Sequence, residues 1–118
     1  YPEAKNSLGY LYTEKGERLD EALALIREAL EKDEDNAAYI DSLGWVYFKK
    51  KLFDEAITQL EKAAMISEDP VIYEHLGDAY HAKGQYDKAE EKWQKALVIE
   101  PNREKIKEKL NALQRKTN

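Results

Sequence analysis

Apolar residues recur along the chain three and four positions apart, which is the spacing of a helix with one buried face. Turn and capping residues, among them Gly16, Asn36, Asp69 and Gly84, interrupt this pattern at short intervals. The pattern therefore predicts an all-α chain. It places helices at about residues 3–15, 19–32, 36–50, 53–66, 70–83, 86–98 and 102–116.

The chain also repeats itself about every 34 residues. A Leu-Gly pair recurs at Leu8, Leu43 and Leu76, a tyrosine follows three residues after each glycine, and two spaced alanines follow beyond the turn. The tyrosines and alanines are Tyr12, Ala22 and Ala29 in the first repeat, Tyr47, Ala56 and Ala63 in the second, and Tyr80, Ala89 and Ala96 in the third. Because Gly and Ala leave little side chain between two helices, the pattern predicts three closely packed helical hairpins.

The two ends of the chain differ in their apolar faces. The last predicted helix carries one apolar stripe on an otherwise polar surface, which predicts a cap over the final hairpin. The stripe consists of Ile106, Leu110 and Leu113. The first helix should present Ala4, Leu8 and Leu11 as apolar surface, unless an upstream repeat or a second molecule covers them. A homo-oligomer through this helix is therefore one expectation.

The Leu-Gly-x-x-Tyr signature, with the turn glycine, the spaced alanines and a proline near the end of the unit, resembles the tetratricopeptide repeat (TPR) family. The third repeat carries the fullest match: Tyr73, Leu76, Gly77, Tyr80, Gly84, Tyr86, Ala89, Ala96 and Pro101. The resemblance implies a right-handed superhelical solenoid of three helix-turn-helix repeats plus a C-terminal capping helix, in a single domain over residues 1–118. The repeats would cover about residues 3–35, 36–68 and 69–101, and the capping helix about 102–116. The repeats also look like those of larger bacterial TPR proteins. We therefore expect the chain, which opens on Tyr1-Pro2, to be a fragment of one.

In TPR arrays the first helix of each hairpin lines a concave groove, so the resemblance implies which residues meet a partner protein or peptide. They are Asn6, Tyr10, Thr13 and Glu14 in the first repeat, Asp41, Trp45, Phe48 and Lys49 in the second, and Glu74, Asp78 and His81 in the third. This set has an aromatic centre of Tyr10, Trp45 and Phe48, flanked by acids that would favour a basic or amide-rich segment. Alternatively, Trp45 and Phe48 pack between adjacent hairpins. Trp93, on a second helix, is expected in the core.

One TPR subtype grips the C-terminal carboxylate of chaperone tails with Lys and Asn side chains. At the matching positions of this chain only Asn6 fits, and Glu74 and Asp78 would repel a carboxylate. The resemblance therefore predicts that the partner is not an acidic C-terminal tail.

Charge and composition narrow the classes of function. The net charge of −5, with basic residues interleaved among acids, disfavours nucleic-acid binding, and no segment reaches the ~20 apolar residues of a membrane span. The chain has no cysteine and no nucleotide-loop, zinc-protease or complete calcium-loop motif. His75 and His81 lack the spacing of a zinc pair, and His75 is expected at the surface or packed against a turn. The sequence predicts no cofactor, no metal and no enzyme. It indicates a protein-interaction module, or alternatively a structural element that assembles through its first helix.

Overall fold

The structure, a computed structural model, describes residues 1–117 of the chain. This part contains seven α-helices and no strand, so the all-α prediction is confirmed. The helices are α1 (Pro2–Lys15), α2 (Leu19–Lys32), α3 (Ala37–Lys49), α4 (Phe53–Ile66), α5 (Pro70–Ala82), α6 (Tyr86–Ile99) and α7 (Glu104–Thr117). All seven predicted helices are confirmed, and the largest difference is at α7, which begins at Glu104 and not at 102.

The helices form two compact units. Unit 1 spans Tyr1–Ser67 and contains α1 to α4, and unit 2 begins at Glu68 and contains α5 to α7. Within unit 1, α1 pairs with α2 and α3 pairs with α4 as hairpins, and α2 also packs against α3. Within unit 2, α5 pairs with α6, and α7 packs against α6. The single domain over residues 1–118 stays a prediction.

Each hairpin turn has a residue in the left-handed region of backbone space at its predicted turn position, and the first turn has a second one, Arg18, with a φ of 52°. The φ angles are 69° at Gly16, 65° at Lys51 and 78° at Gly84. These are the three turn positions that the repeat predicts. Glycine adopts this conformation freely, whereas a residue with a Cβ atom is strained there, so Lys51 stands at the one strained position of the three.

The Leu-Gly glycines let each first helix lie directly against its second helix. A Cβ atom placed on Gly9 would lie 2.8 Å from Ile26 Cγ1, and one on Gly44 would lie 2.6 Å from Leu60 Cγ. At Gly77 the corresponding atom would lie 2.2 Å from the indole ring of Trp93. The close helix contact predicted from the repeated glycines is therefore confirmed in all three hairpins.

Side-chain caps begin the first helices of the second and third repeats. The Asn36 side chain accepts a hydrogen bond of 3.1 Å from the Tyr39 backbone N–H at the start of α3. The Asp69 carboxylate accepts one of 2.8 Å from the Val71 N–H at the start of α5. Each cap satisfies a helical N–H that has no partner within the helix, and so fixes where these two helices begin.

Candidate functional site

The predicted partner-binding residues of α3 form an aromatic and charged cluster with α1 in unit 1. The rings of Trp45 and Phe48 are stacked, 4.6 Å apart and within 4° of parallel. The Trp45 indole N–H donates a 2.6 Å hydrogen bond to the Glu14 carboxylate on α1, and the Lys49 ammonium lies 5.3 Å from the Trp45 ring centre. We call Glu14, Trp45, Phe48 and Lys49 the aromatic cluster.

Exposure differs within the aromatic cluster. Only 7% of Trp45 is exposed, because the ring is covered by Phe48 and held against α1 through Glu14. Phe48 and Lys49 are half-buried, and Glu14 is exposed. Phe48 also contacts Phe53 at the start of α4, with ring centres 5.5 Å apart. For Trp45 the groove exposure is therefore corrected, and the alternative of packing between adjacent hairpins is the one observed. The half-buried Phe48 presents the aromatic surface that the sequence assigned to both.

Three further predicted residues lie on α1. Asn6 and Tyr10 are half-buried, and the Asn6 side-chain oxygen is buried without a hydrogen-bond partner among the described residues. The prediction that Thr13 is exposed is wrong, because its side chain has no exposed surface. Its hydroxyl donates a 2.8 Å hydrogen bond to the Gly9 carbonyl one turn earlier, which folds the side chain against its own helix. Thr13 has no surface to offer a partner.

The expected exposure of Asp41 is also wrong. Asp41 is only 6% exposed on α3, where the neighbouring Ser42 is buried as well. The Ser42 hydroxyl donates a 3.0 Å hydrogen bond to the Ala38 carbonyl of the same helix. A carboxylate at this depth is not an open charge for a basic partner segment.

In unit 2 the two predicted acids of α5 are bound to α7. The Lys109 ammonium donates to Glu74 Oε2 at 2.8 Å and to the two Asp78 carboxylate oxygens at 2.9 and 3.1 Å. Arg103, just before α7, donates to Glu74 Oε1 at 2.9 Å and to Glu100 at 2.7 Å. The expectation that Glu74 and Asp78 attract a basic partner is corrected, because cations of the same chain already neutralise them.

The pKa values of these groups reflect burial and pairing together. Burial raises the pKa of Asp78, and Lys109 only partly offsets this. Burial would also raise the pKa of Glu74, but hydrogen bonds from Lys109 and Arg103 outweigh it and lower that pKa. Burial would lower the pKa of Lys109, but its two carboxylate partners outweigh burial and raise it. Lys109 therefore stays charged and is held between the two acids.

Trp93 and the two histidines also lie in unit 2. Trp93 is buried, as predicted, and its indole N–H lies 3.2 Å from Asp78 Oδ1 and 3.3 Å from the Glu74 carbonyl. His81 is half-buried and lies against this ring, with centres 5.6 Å apart. His75 was expected at the surface or packed against a turn, and the surface position is wrong, because His75 is buried on α5.

Arg103 and Lys109 are the residues that sequence reasoning missed. A signal for them was present, because Leu110 follows Leu76 by 34 residues and therefore continues the phase of the repeat. In that register α7 stands where the first helix of a further unit would stand. Lys109, one residue before Leu110, takes the position that His75 has before Leu76. An outer cap with solvated charges was the wrong description of Lys109.

Two kinds of feature are absent from the described part of the chain, residues 1–117: a metal-binding group and a membrane-spanning helix. Within residues 1–117, no group of three or more His, Cys, Asp or Glu side chains could hold a metal ion. No helix of that range combines the length and the apolar character that crossing a bilayer requires.

Comparison with known proteins identifies the family. Two tetratricopeptide repeat models match the chain, one over residues 14–71 and the other over residues 70–103. Together they cover well over half of it. The chain belongs to the tetratricopeptide repeat family. The TPR resemblance of its Leu-Gly-x-x-Tyr repeats is thereby confirmed.

The curated relatives that this chain matches are much longer than the chain. A TPR repeat-containing protein of Pseudomonas aeruginosa is 32% identical over 75 residues, which is 64% of this chain and 13% of that protein. The mitochondrial import receptor subunit TOM70 of Saccharomyces cerevisiae is 36% identical over 78 residues, which is 66% of this chain and 12% of that protein. The matched part is thus about an eighth of each relative's length.

Solved structures agree on the fold. The first TPR of Spaghetti (RPAP3), bound to an HSP90 peptide, has a TM-score of 0.89 and 20% identity, covering 98% of this chain and 92% of that chain. At this level of identity the likeness establishes the TPR fold of the present chain and nothing about its ligand.

Proposed function

We propose that this TPR chain is a protein-interaction module that binds a partner segment on the first-helix face of unit 1. The observation that carries the proposal is the aromatic cluster, in which a half-buried Phe48 ring is stacked on a buried Trp45. Tyr10, on the same face of α1 as Asn6, supplies a second aromatic side chain. Glu14 and Lys49 supply one charge of each sign beside it.

The arrangement suits binding because the side chains of Trp45 and Phe48 are already ordered before a partner binds. Trp45 is fixed by its hydrogen bond to Glu14 and by the stack, so the Phe48 ring is already held in one orientation. A pre-ordered aromatic side chain loses little conformational freedom when a partner covers it, and such side chains are common binding hot spots. A partner segment with an apolar side chain flanked by polar groups fits this surface best.

The acids of unit 2 are not proposed as contacts for a basic partner segment, which is what the sequence led us to expect. Glu74 and Asp78 are neutralised by Lys109 and Arg103, so a basic segment would have to displace an existing ion pair. The partner's main contacts are therefore assigned to unit 1. His81 lies in unit 2 and stays a predicted partner contact separate from the proposed surface of unit 1.

The test is capture of a partner followed by a measured affinity. The chain is immobilised, bound proteins are identified by mass spectrometry, and the binding segment is mapped and titrated by calorimetry. Phe48→Ala should weaken binding of that segment by about tenfold or more, as expected for an aromatic hot spot. Met65→Ala is the control, because Met65 is exposed and lies on the second helix α4. Equal affinities for both variants would rule out the first-helix face.

An acidic C-terminal tail is not the proposed ligand. The HSP90 peptide of the Spaghetti structure, SRMEEVD, is a suitable probe for this point. Lys109 is already shared between two carboxylates, so it is not available to a third. We expect no saturable binding of SRMEEVD by fluorescence anisotropy, and micromolar binding that depends on the terminal carboxylate would overturn this part of the proposal.

Assembly through α1 is the second candidate function. It is favoured by the exposure of Leu8 and Leu11, which are 40% and 48% exposed on that helix. Light scattering over a range of concentrations tests whether copies of the chain associate through these residues. A constant monomer mass would exclude self-assembly.

A further inference from the structure

The turn between α3 and α4 differs from the other two hairpin turns at its predicted turn position. Gly16 and Gly84 hold this position in the first and third turns, with φ angles of 69° and 78°. Lys51 holds it in the second turn, with a φ of 65°. A residue with a Cβ atom is strained there, and the same chain twice uses glycine instead. The backbone of the turn therefore does not account for a lysine, and a strained residue of this kind points to a role for its side chain.

The Lys51 side chain has no such role inside the protein. Lys51 is exposed, and among residues 1–117 its ammonium group makes no ion pair or hydrogen bond. The two preceding lysines differ from it in this respect. The Lys49 ammonium lies 5.3 Å from the Trp45 ring centre, and Lys50 forms an ion pair with Asp20 of α2. Lys51 is thus an open cation at a strained position.

The acids beside this turn make other contacts. Glu14 accepts the hydrogen bond from the Trp45 indole N–H. Asp54 and Glu55 lie in the first turn of α4, where the unpaired N–H groups of the helix start balance their negative charge. Among the described residues none of these carboxylates is paired with Lys51. The positive charge of the turn is therefore available to a partner.

The same turn also carries apolar surface that adjoins the aromatic cluster. The Lys51 backbone N–H donates a 2.9 Å hydrogen bond to the Phe48 carbonyl, which holds the turn against the end of α3. Leu52 is 38% exposed, and Phe53 contacts the Phe48 ring. An open cation and exposed apolar side chains therefore lie next to each other along the turn, beside the half-buried Phe48 ring.

We propose that the partner segment of the aromatic cluster is acidic, with an aromatic side chain that covers Phe48 and a carboxylate that pairs with Lys51. The chemistry of this partner rests on the proposed function, whose surface it shares. An aromatic side chain is the preferred anchor, because two rings attract each other beyond the area that they bury. The pairing with Lys51 needs no terminal carboxylate. The peptide SRMEEVD has acids but no aromatic side chain, so it lacks the anchor for Phe48.

Three acetylated and amidated peptides test the chemistry of the partner. Each carries one central phenylalanine, flanked on both sides by glutamates, by glutamines or by lysines. Each peptide is titrated into the chain and followed by NMR chemical shifts. We expect the glutamate peptide to bind about threefold to tenfold more tightly than the glutamine peptide, which is the range for a few exposed charge pairs. This difference should shrink at high ionic strength, and the lysine peptide should bind most weakly.

Substitutions of Lys51 separate its charge from its strained backbone. Lys51→Gln removes the charge and keeps the Cβ atom, whereas Lys51→Gly removes both. Each should weaken binding of the glutamate peptide by about twofold to fivefold, and Lys51→Arg should bind it as tightly as wild type does. Only Lys51→Gly should raise the melting temperature. Lys105→Gln, at an exposed lysine of α7, is the control and should leave the affinity unchanged.

The results distinguish an error in the partner's chemistry from an error in the proposed surface. Equal affinities for the glutamate and glutamine peptides, both lowered by Phe48→Ala, would refute the acidic partner and leave the proposed surface standing. Binding of the glutamate peptide that survives Phe48→Ala would refute the surface itself. No saturable shift at millimolar glutamate peptide, or an equal loss in Lys105→Gln, would also refute the acidic partner. So would binding that depends on Lys51 to vesicles of phosphatidylcholine and phosphatidylserine but not to the peptide, because the turn would then contact a membrane surface.

Discussion

Replacing Gly77 by alanine tests the close packing of the TPR hairpins at its tightest point. The new Cβ atom would lie 2.2 Å from both Cδ1 and Nε1 of Trp93. Ordinary contact begins at 3.4 Å, so the indole would have to retreat by about 1.2 Å. Trp93 cannot retreat without lengthening the hydrogen bonds from its N–H to Asp78 and to the Glu74 carbonyl.

The effect of Gly77→Ala on stability is the difference between a gain in helix propensity and the cost of overpacking. Alanine favours a helix interior over glycine by about 1 kcal/mol. Overpacking a core costs about 1–3 kcal/mol, and the strained indole hydrogen bond to a carboxylate adds about 1 kcal/mol or more. We therefore expect Gly77→Ala to lower the free energy of unfolding by about 1–3 kcal/mol, which is the sum of the two costs less the gain in helix propensity. Gly9→Ala should cost less, because its nearest contact, 2.8 Å from Ile26 Cγ1, is longer and is made by an aliphatic side chain that yields more easily than an indole ring.

Urea unfolding followed by circular dichroism and tryptophan fluorescence measures these differences. The decisive control is the same change in a Trp93→Leu background, since leucine stands at the equivalent position of the second repeat, where Leu60 faces Gly44. There the penalty of Gly77→Ala should shrink. A Gly77→Ala protein as stable as wild type, or a penalty undiminished by Trp93→Leu, would refute the packing argument.

Three further changes test the charged, aromatic and turn contacts. Lys109→Met should cost about 1–3 kcal/mol at pH 7, because it leaves Asp78 without its cation and Glu74 with Arg103 alone. Without Lys109 the folded pKa of Asp78 rises further above its ordinary value of 3.8. The variant therefore keeps its stability below pH 3.8, where Asp78 is protonated, and loses it as the pH rises through the raised pKa of Asp78. The urea midpoints of variant and wild type should thus converge near pH 3.5, and a constant gap would contradict the ion-pair assignment. Trp45→Phe should cost about 1 kcal/mol by removing the bond to Glu14, and a double-mutant cycle with Glu14→Ala, which removes the acceptor, should show that the two losses are not additive. Lys51→Gly should raise the melting temperature, because Lys51 has a φ of 65° and glycine relieves about 1 kcal/mol of strain there; a lower melting temperature would mean that the lysine side chain stabilises the turn.

Periodicity predicted the helices well because it reports a property of each segment alone. A helix boundary depends on neighbours such as the Asn36 and Asp69 caps, which are visible in the sequence itself. The exposure of Thr13 was mispredicted for a different reason. Its side chain is fully covered by other parts of the folded chain, and the hydroxyl bonds to the Gly9 carbonyl one turn back, so the pattern along α1 alone does not report its burial.

The error at Glu74 and Asp78 has a more general cause. Their cation, Lys109, is 35 and 31 residues away along the chain, a distance at which no periodic pattern within one helix carries information. The repeat itself does carry it, because residues about 34 positions apart occupy equivalent places on successive first helices. A carboxylate on the first helix of one TPR repeat is open to a partner only when the first helix of the next repeat places no cation beside it. The partner-facing charge of such a chain must therefore be counted over pairs of adjacent first helices, with α7 included as the last of them.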